Sequence, residues 1–110
     1  MNKIKTIFLA LSILLTLNCS AQMKAIYFNA DWNNANNVEW FGKLSDVEKE
    51  TMDIGKGDCQ KEYQIATVPT IIIFDDGEEV KRFQADLSFK LVATRKDIQG
   101  YIDELLMSKF

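Results

Sequence analysis

A single proline stands directly before the most strand-like segment of the sequence and limits how the chain folds around it. Pro69 is the only proline among the 110 residues, and Thr70 and the apolar run Ile71-Ile72-Ile73-Phe74 follow it. Three β-branched residues and a phenylalanine in succession predict a short strand that is covered on both faces. Because proline cannot donate to a strand ladder, it belongs at the start of such a strand, and it excludes Val68 from helical geometry.

The first 21 residues have the pattern of an export signal. Two lysines lie within the first five residues, residues 7–17 are predominantly apolar, and Cys19-Ser20-Ala21 supplies small residues. A basic start, an apolar run too short to span a bilayer and a small-residue cleavage site together predict a signal peptide at 1–21. The mature domain would then cover 22–110, and the protein would be periplasmic or secreted.

An alternative interpretation of this leader is a lipid anchor at Cys19. Lipoproteins retain and acylate such a cysteine, and the protein would then be attached to the envelope. The residue before Cys19 is Asn18, where a lipoprotein usually carries a small residue. We therefore prefer cleavage after Ala21. That cleavage leaves Cys59 as the one cysteine of the mature chain and excludes an intramolecular disulfide.

Apolar periodicity and turn signals predict seven elements, the strand at 71–74 included. Strands are expected at 25–28, 50–54, 71–74 and 79–83, and helices at 35–44, 59–66 and 98–106. A capping box at Thr94 and Asp97 marks the start of the last helix, and Asp76-Gly77 predicts a tight hairpin between the last two strands. The segment 89–93 is interpreted either as a short edge strand or as an extended connection.

The order of these elements indicates an α/β domain. Helices between the first three strands predict right-handed crossovers and parallel pairing among those strands. The expected product is a mixed sheet in the order β-α-β-α-β-β-α, with helices on both faces.

This order and two short motifs resemble the thioredoxin superfamily. Phe28-Asn29-Ala30-Asp31-Trp32 precedes the first helix, and Val68-Pro69-Thr70 precedes the third strand. These are the places where thioredoxins carry their active-site tryptophan and a cis proline followed by threonine. The resemblance covers about residues 24–110 without the extra N-terminal strand and helix of full thioredoxins. It implies a minimal, three-layer thioredoxin-like fold in which Pro69 is cis.

The sequence departs from the family at the residues that carry its chemistry. Asn33 and Asn36 replace the two cysteines of the Trp-Cys-x-x-Cys motif, and Tyr27 stands where thioredoxins bury an acidic residue. Disulfide exchange needs one thiolate to attack and a second thiol to resolve the mixed disulfide, and an amide nitrogen does neither. The sequence therefore predicts a degenerate active site with no catalytic residue at these two positions.

The asparagines at 33, 34, 36 and 37 are expected to cap the first helix and to contact solvent. The alternative is a polar site that holds an anionic group at the N-terminus of that helix.

The chain has no histidine, which removes the usual metal ligand and general base, and we expect neither a metal nor a cofactor. The net charge of -3 and the lack of a basic patch argue against nucleic acid as a partner, and no membrane span is expected.

Two functions remain open for such a domain. The first is non-catalytic binding of a protein or an extended peptide at Trp32, Val68, Pro69 and Thr70. The resemblance implies that the backbone of Val68 is open to a peptide that adds as a strand. The second is a thiol-disulfide oxidoreductase that works through Cys59 or a partner's thiol. Otherwise Cys59 packs as a small, buried and inert side chain.

Overall fold

Four strands form the sheet in the computed structural model, which describes residues 23–110. These are β1 (Met23–Asn29), β2 (Glu48–Asp53), β3 (Thr70–Asp75) and β4 (Glu78–Gln84), and their order in the sheet is β2-β1-β3-β4. β1 is parallel to β2 and antiparallel to β3, and β3 is antiparallel to β4. The predicted mixed α/β sheet is confirmed. The predicted signal peptide at 1–21 and the possible anchor at Cys19 lie outside the described residues.

The direction of β3 corrects the prediction that the first three strands are parallel. The helix between β2 and β3, α1 (Cys59–Glu62), has four residues and rises only about 6 Å. A strand of six residues spans roughly 20 Å, so α1 does not carry the chain back along the sheet. β3 therefore begins beside the end at which β1 and β2 finish, where Thr70 pairs with Phe28, and runs the opposite way.

The predicted helix at 35–44 is also wrong, because two short 3-10 segments, Asp31–Asn36 and Glu39–Lys43, take its place. Between them, the Val38 N–H donates to the Tyr27 hydroxyl oxygen at 3.0 Å instead of continuing an α-helical ladder. Asparagine side chains that bond elsewhere, a β-branched residue and Gly42 all lower the helical propensity of this stretch.

Side chains of β1 and β3 alternate between two cores, one on each face of the sheet. Both cores have fully buried centres, which confirms the prediction that the isoleucine strand is covered on both sides. The first core contains Tyr27, Phe41, Ile71 and Ile73 and is covered by Ile98 and Ile102. The second contains Ile26, Phe28, Val68 and Ile72, with Cys59 and Tyr63 packed against it.

The local signals for the hairpin and the last helix are confirmed. Asp76 and Gly77 both have positive φ, 53° and 85°, as a two-residue turn between antiparallel strands requires. The last helix, α2 (Arg95–Met107), starts with a capping box in which Thr94 and Asp97 each accept the other's backbone N–H. These backbone and side-chain bonds from Thr94 hold the pKa of Asp97 below its ordinary value.

Candidate functional site

The carboxyl end of β1, the first 3-10 segment and the residues before β3 meet at one edge of the sheet. The Val68–Pro69 peptide bond is cis. Asn33 Nδ2 lies 3.3 Å from the carbonyl oxygen of Val68, a residue 35 positions further along the chain. The fold therefore brings together the two sequence motifs that carry the resemblance.

Asn33 belongs to a continuous series of side-chain hydrogen bonds. Asn36 Nδ2 donates to Asn33 Oδ1 (2.9 Å), and Asn33 Nδ2 donates to Asn29 Oδ1 (3.1 Å). Asn29 Nδ2 donates to the Tyr27 hydroxyl (3.1 Å), which donates to Asn37 Oδ1 (2.6 Å). Because Asn36 and Asn37 are neighbours in the chain, these bonds close a ring. We call Tyr27, Asn29, Asn33, Asn36 and Asn37 the asparagine ring.

The amide of Asn33 is buried and fully engaged. The residue is 4 % exposed, and its two amide hydrogens serve three acceptors at 3.1–3.3 Å, the third being the carbonyl oxygen of Phe89. No buried side-chain nitrogen or oxygen within residues 23–110 lacks a hydrogen-bond partner. A group placed at position 33 is therefore held in a structural role and shielded from an approaching disulfide.

Tyr27 links Asn29 and Asn37 in the asparagine ring as a neutral phenol. Burial raises the pKa of its hydroxyl, against the lowering effect of the hydrogen bonds from the Val38 N–H and the Asn29 amide. The hydroxyl thus keeps the proton that it donates to Asn37. Tyr27 provides a bond donor where the resemblance places an acid.

The expectation that the asparagines cap a helix is wrong for all four, and the expectation that they contact solvent is wrong for Asn33. No side chain caps either 3-10 segment, and only Asn34 and Asn37 are exposed among the four, since Asn36 is half-buried. Sequence reasoning also missed Asn29. Its signal was its position two residues after Tyr27 on the same strand, which places both side chains on one face of the sheet.

A short loop between β4 and α2 covers this site. Ala85 and Leu91 pair as an isolated antiparallel bridge and enclose residues 86–90, which we call the Phe89 loop. The segment 89–93 is accordingly a connection rather than an edge strand. The Phe89 carbonyl accepts from Asn33 Nδ2 at 3.2 Å. The aromatic ring of Phe89 packs edge-on against that of Trp32, with the two centroids 5.1 Å apart.

Asp86 organises the Phe89 loop from within. Its carboxylate accepts hydrogen bonds from the hydroxyl and the N–H of Ser88 and from the N–H of Lys90. The bond from the Ser88 hydroxyl is the main reason why the pKa of Asp86 lies below its ordinary value. The loop therefore has its own internal framework, separate from its contacts with the site.

The four predicted peptide-binding residues lie together, but their accessibility differs. Trp32 is 65 % exposed, whereas Val68 is 1 % exposed, and Pro69 and Thr70 are buried. Trp32, Val68 and Phe89 all line one small cavity of about 70 Å³. The expectation that the backbone of Val68 is open to a peptide is therefore wrong for this conformation, because the Phe89 loop covers that backbone.

Cys59 lies at the start of α1, outside the asparagine ring. It is half-buried against the second core, and its Sγ lies 3.4 Å from the Asp53 carbonyl oxygen.

Across residues 23–110, no three His, Cys, Asp or Glu side chains are grouped as a possible metal site. In the same part of the chain, no helix is both long enough and apolar enough to cross a membrane.

Solved structures match this chain, whereas no protein-family model and no curated protein matches it. The thioredoxin of Fasciola hepatica is 24 % identical, over 82 % of this chain and 86 % of that chain, with a TM-score of 0.58. Thioredoxin 1 of Thermosipho africanus is 24 % identical over 78 % and 97 %, with a TM-score of 0.58. The Schistosoma mansoni thioredoxin pre-protein is 21 % identical over 86 % and 89 %, with a TM-score of 0.61. The chain therefore has a thioredoxin-like fold.

Proposed function

We propose that this protein is a non-catalytic binding module with a degenerate thioredoxin site. It binds a protein or an extended peptide beside Trp32. The observation that carries the proposal is the asparagine ring, with Asn33 buried within it, in the place of the dithiol. Asn33 has no nucleophilic atom, and its amide is committed to internal acceptors. The edge of the sheet that would carry redox chemistry is thus built for stability and recognition.

Exposed apolar side chains beside the ring support a role in binding. Trp32 and Leu87 both project into solvent, Leu87 being 93 % exposed, and Phe89, which contacts Trp32, is partly exposed. Covering the exposed part of a tryptophan of this size contributes about 3 kcal/mol to association. Large aromatic anchors of this kind dominate the binding energy of protein interfaces.

We further propose that the protein acts outside the cytoplasm as a mature domain of residues 22–110. The leader pattern at 1–21 supports export, and retention through an acylated Cys19 is the alternative. An exported domain with a single thiol has no resolving partner within its own chain. This is a second reason to prefer binding over disulfide exchange.

A turnover assay separates binding from the alternative oxidoreductase function of Cys59. The mature protein is expected not to reduce insulin disulfides, with or without Cys59→Ser. The double variant Asn33→Cys with Asn36→Cys should gain activity, because the two side chains already lie within hydrogen-bonding distance of one another. The activity should stay weak, because position 33 is buried. Turnover by the wild type that disappears in Cys59→Ser would replace the binding proposal with the oxidoreductase.

Site-specific crosslinking tests the binding surface itself. A photoreactive residue replaces Trp32 in one sample and, as the control, replaces Val80 on β4, which is also apolar and partly exposed. Both proteins are exposed to the native envelope fraction and irradiated. A discrete adduct from position 32 that position 80 does not give supports the proposal. Identical adducts from both positions, or none from position 32, contradict it.

A further inference from the structure

We propose that the Phe89 loop is an internal occupant of the peptide groove, and that it must leave before an extended peptide pairs with Val68. This inference rests on the proposed function and adds a closed and an open state to it. In the closed state, described above, the domain presents Trp32 but not the backbone of Val68. In the open state, both are accessible to a partner.

The hydrogen bonds of Asn33 place the loop where a bound peptide would run. A single amide donates both to the Val68 carbonyl and to the Phe89 carbonyl, at 3.3 and 3.2 Å. The backbone of Phe89 therefore lies alongside the segment that a strand-adding peptide would use. The Phe89 ring packs edge-on against Trp32, and both residues line one cavity with Val68.

Few interactions hold the loop over the groove. One hydrogen bond from Asn33 and one aromatic contact with Trp32 link Phe89 to the site. Phe89 has a φ of 62°, a left-handed conformation that is unfavourable for a bulky residue. The attachment through these two contacts is therefore weak, which favours a loop that can be displaced, and the positive φ makes position 89 tolerant of glycine.

The loop is also built to move as a unit. Asp86 fixes its internal geometry through bonds to Ser88 and Lys90, none of which involves the groove. The bridge between Ala85 and Leu91 closes the base of the loop beside the end of β4. Displacement of residues 86–90 therefore hinges at this base, where Leu91 packs against the first core and the Ala85 N–H donates to the Pro69 carbonyl oxygen.

Thiol alkylation measures the closed state without any partner. The parent variant carries Asn33→Cys and Cys59→Ser, so that its one thiol in the mature chain lies beneath Phe89. This variant loses the hydrogen bond from Asn33, and the contact of Phe89 with Trp32 and the internal framework of the loop keep the groove covered. Two further variants open the groove: Phe89→Gly, which tolerates the positive φ, and replacement of residues 86–90 by a two-residue Asn-Gly turn between the bridged pair. The matched control is Lys90→Ala, in the same loop but with an exposed side chain.

We expect both opening changes to raise the rate of iodoacetamide labelling at least about tenfold over the parent, and the control to stay within about twofold. Equal labelling rates in all four proteins would overturn the inference. So would an increase in the control as large as in Phe89→Gly. Circular dichroism and urea unfolding establish that each variant is folded before labelling, and the two opening changes provide independent routes to the same result.

Disulfide tethering then tests the groove with a defined probe. The same proteins are equilibrated with a pool of unstructured heptapeptides whose central cysteine carries cysteamine as a mixed disulfide. The opened variants are expected to retain peptides at position 33 at least about tenfold more than the parent. Faster alkylation without peptide retention would leave the loop as a cover and reject the proposed function. Equal retention by parent and opened variants would reject the cover and leave the binding function in place.

Discussion

Asn33→Ala tests whether the asparagine ring holds the domain together. The change removes the bonds of one side chain, and Asn29 Oδ1 and the buried Val68 carbonyl lose the donor that each has within residues 23–110. The Phe89 carbonyl and the Asn36 amide lie closer to the surface and form hydrogen bonds with water instead. Each buried group left unsatisfied costs about 1–3 kcal/mol, so we expect the free energy of unfolding to fall by roughly 2–6 kcal/mol.

Asn34→Ala is the matched control. Asn34 lies in the same 3-10 segment, but it is exposed and its side chain is not part of the ring. A surface change of this kind is expected to stay within about 0.5 kcal/mol of the wild type. Urea unfolding of the mature domain, followed by tryptophan fluorescence, gives both free energies. An unchanged m-value shows that the same transition is compared.

The size of the effect is also visible in thermal unfolding. For a domain of this length, each kcal/mol shifts the midpoint by about 4–8 °C, so Asn33→Ala should melt at least about 8 °C below the control. Equal stabilities of the two alanine variants would refute the reasoning. They would show that the buried amide contributes no more than its solvated neighbour and that the ring forms without stabilising the fold.

Three further predictions concern other parts of the chain. Tyr27→Phe removes the acceptor of the Val38 N–H and should cost about 1–3 kcal/mol. Because burial raises the pKa of Tyr27, stability is full below the ordinary tyrosine pKa of about 10 and falls as the pH rises above it. Urea titrations between about pH 9 and 11 should show that this alkaline slope is lost in Tyr27→Phe. Thr94→Ala should lower stability by about 1 kcal/mol, and hydrogen exchange should be faster in the first turn of α2. Intact-mass measurement of exported protein should give a chain that starts at Gln22 without lipid, and a lipid-modified chain that starts at Cys19 would contradict the predicted cleavage.

Local sequence signals predicted those elements whose causes are local. The isoleucines of β3 define a covered strand by composition alone, the Asp76-Gly77 pair supplies the two positive φ values of its turn, and Thr94 with Asp97 forms a capping box within four residues. In each case the determining interactions lie a few positions apart. The pattern therefore carries the information that the fold uses.

The first 3-10 segment could not be predicted in this way, because its geometry depends on distant partners. Asn33 bonds to Val68, and the Val38 N–H bonds to the Tyr27 hydroxyl, so tertiary contacts replace the expected α-helical ladder. Phe89 gave no signal either. It is one aromatic residue in a polar connection, and only the pairing of Ala85 with Leu91 places it over the groove. The direction of β3 likewise follows from the shortness of α1. Apolar periodicity overestimated the length of this helix.

The asparagine ring makes the stability of this protein sensitive to deamidation. Asn29 and Asn33 each use both ends of the side-chain amide, accepting at oxygen and donating from nitrogen. Spontaneous deamidation would turn either residue into an aspartate, which at neutral pH accepts hydrogen bonds but donates none. The same reaction at the exposed Asn34 would add a charge in solvent and leave the ring intact. Of these three asparagines, Asn29 and Asn33 would therefore register the loss of ammonia as a loss of stability.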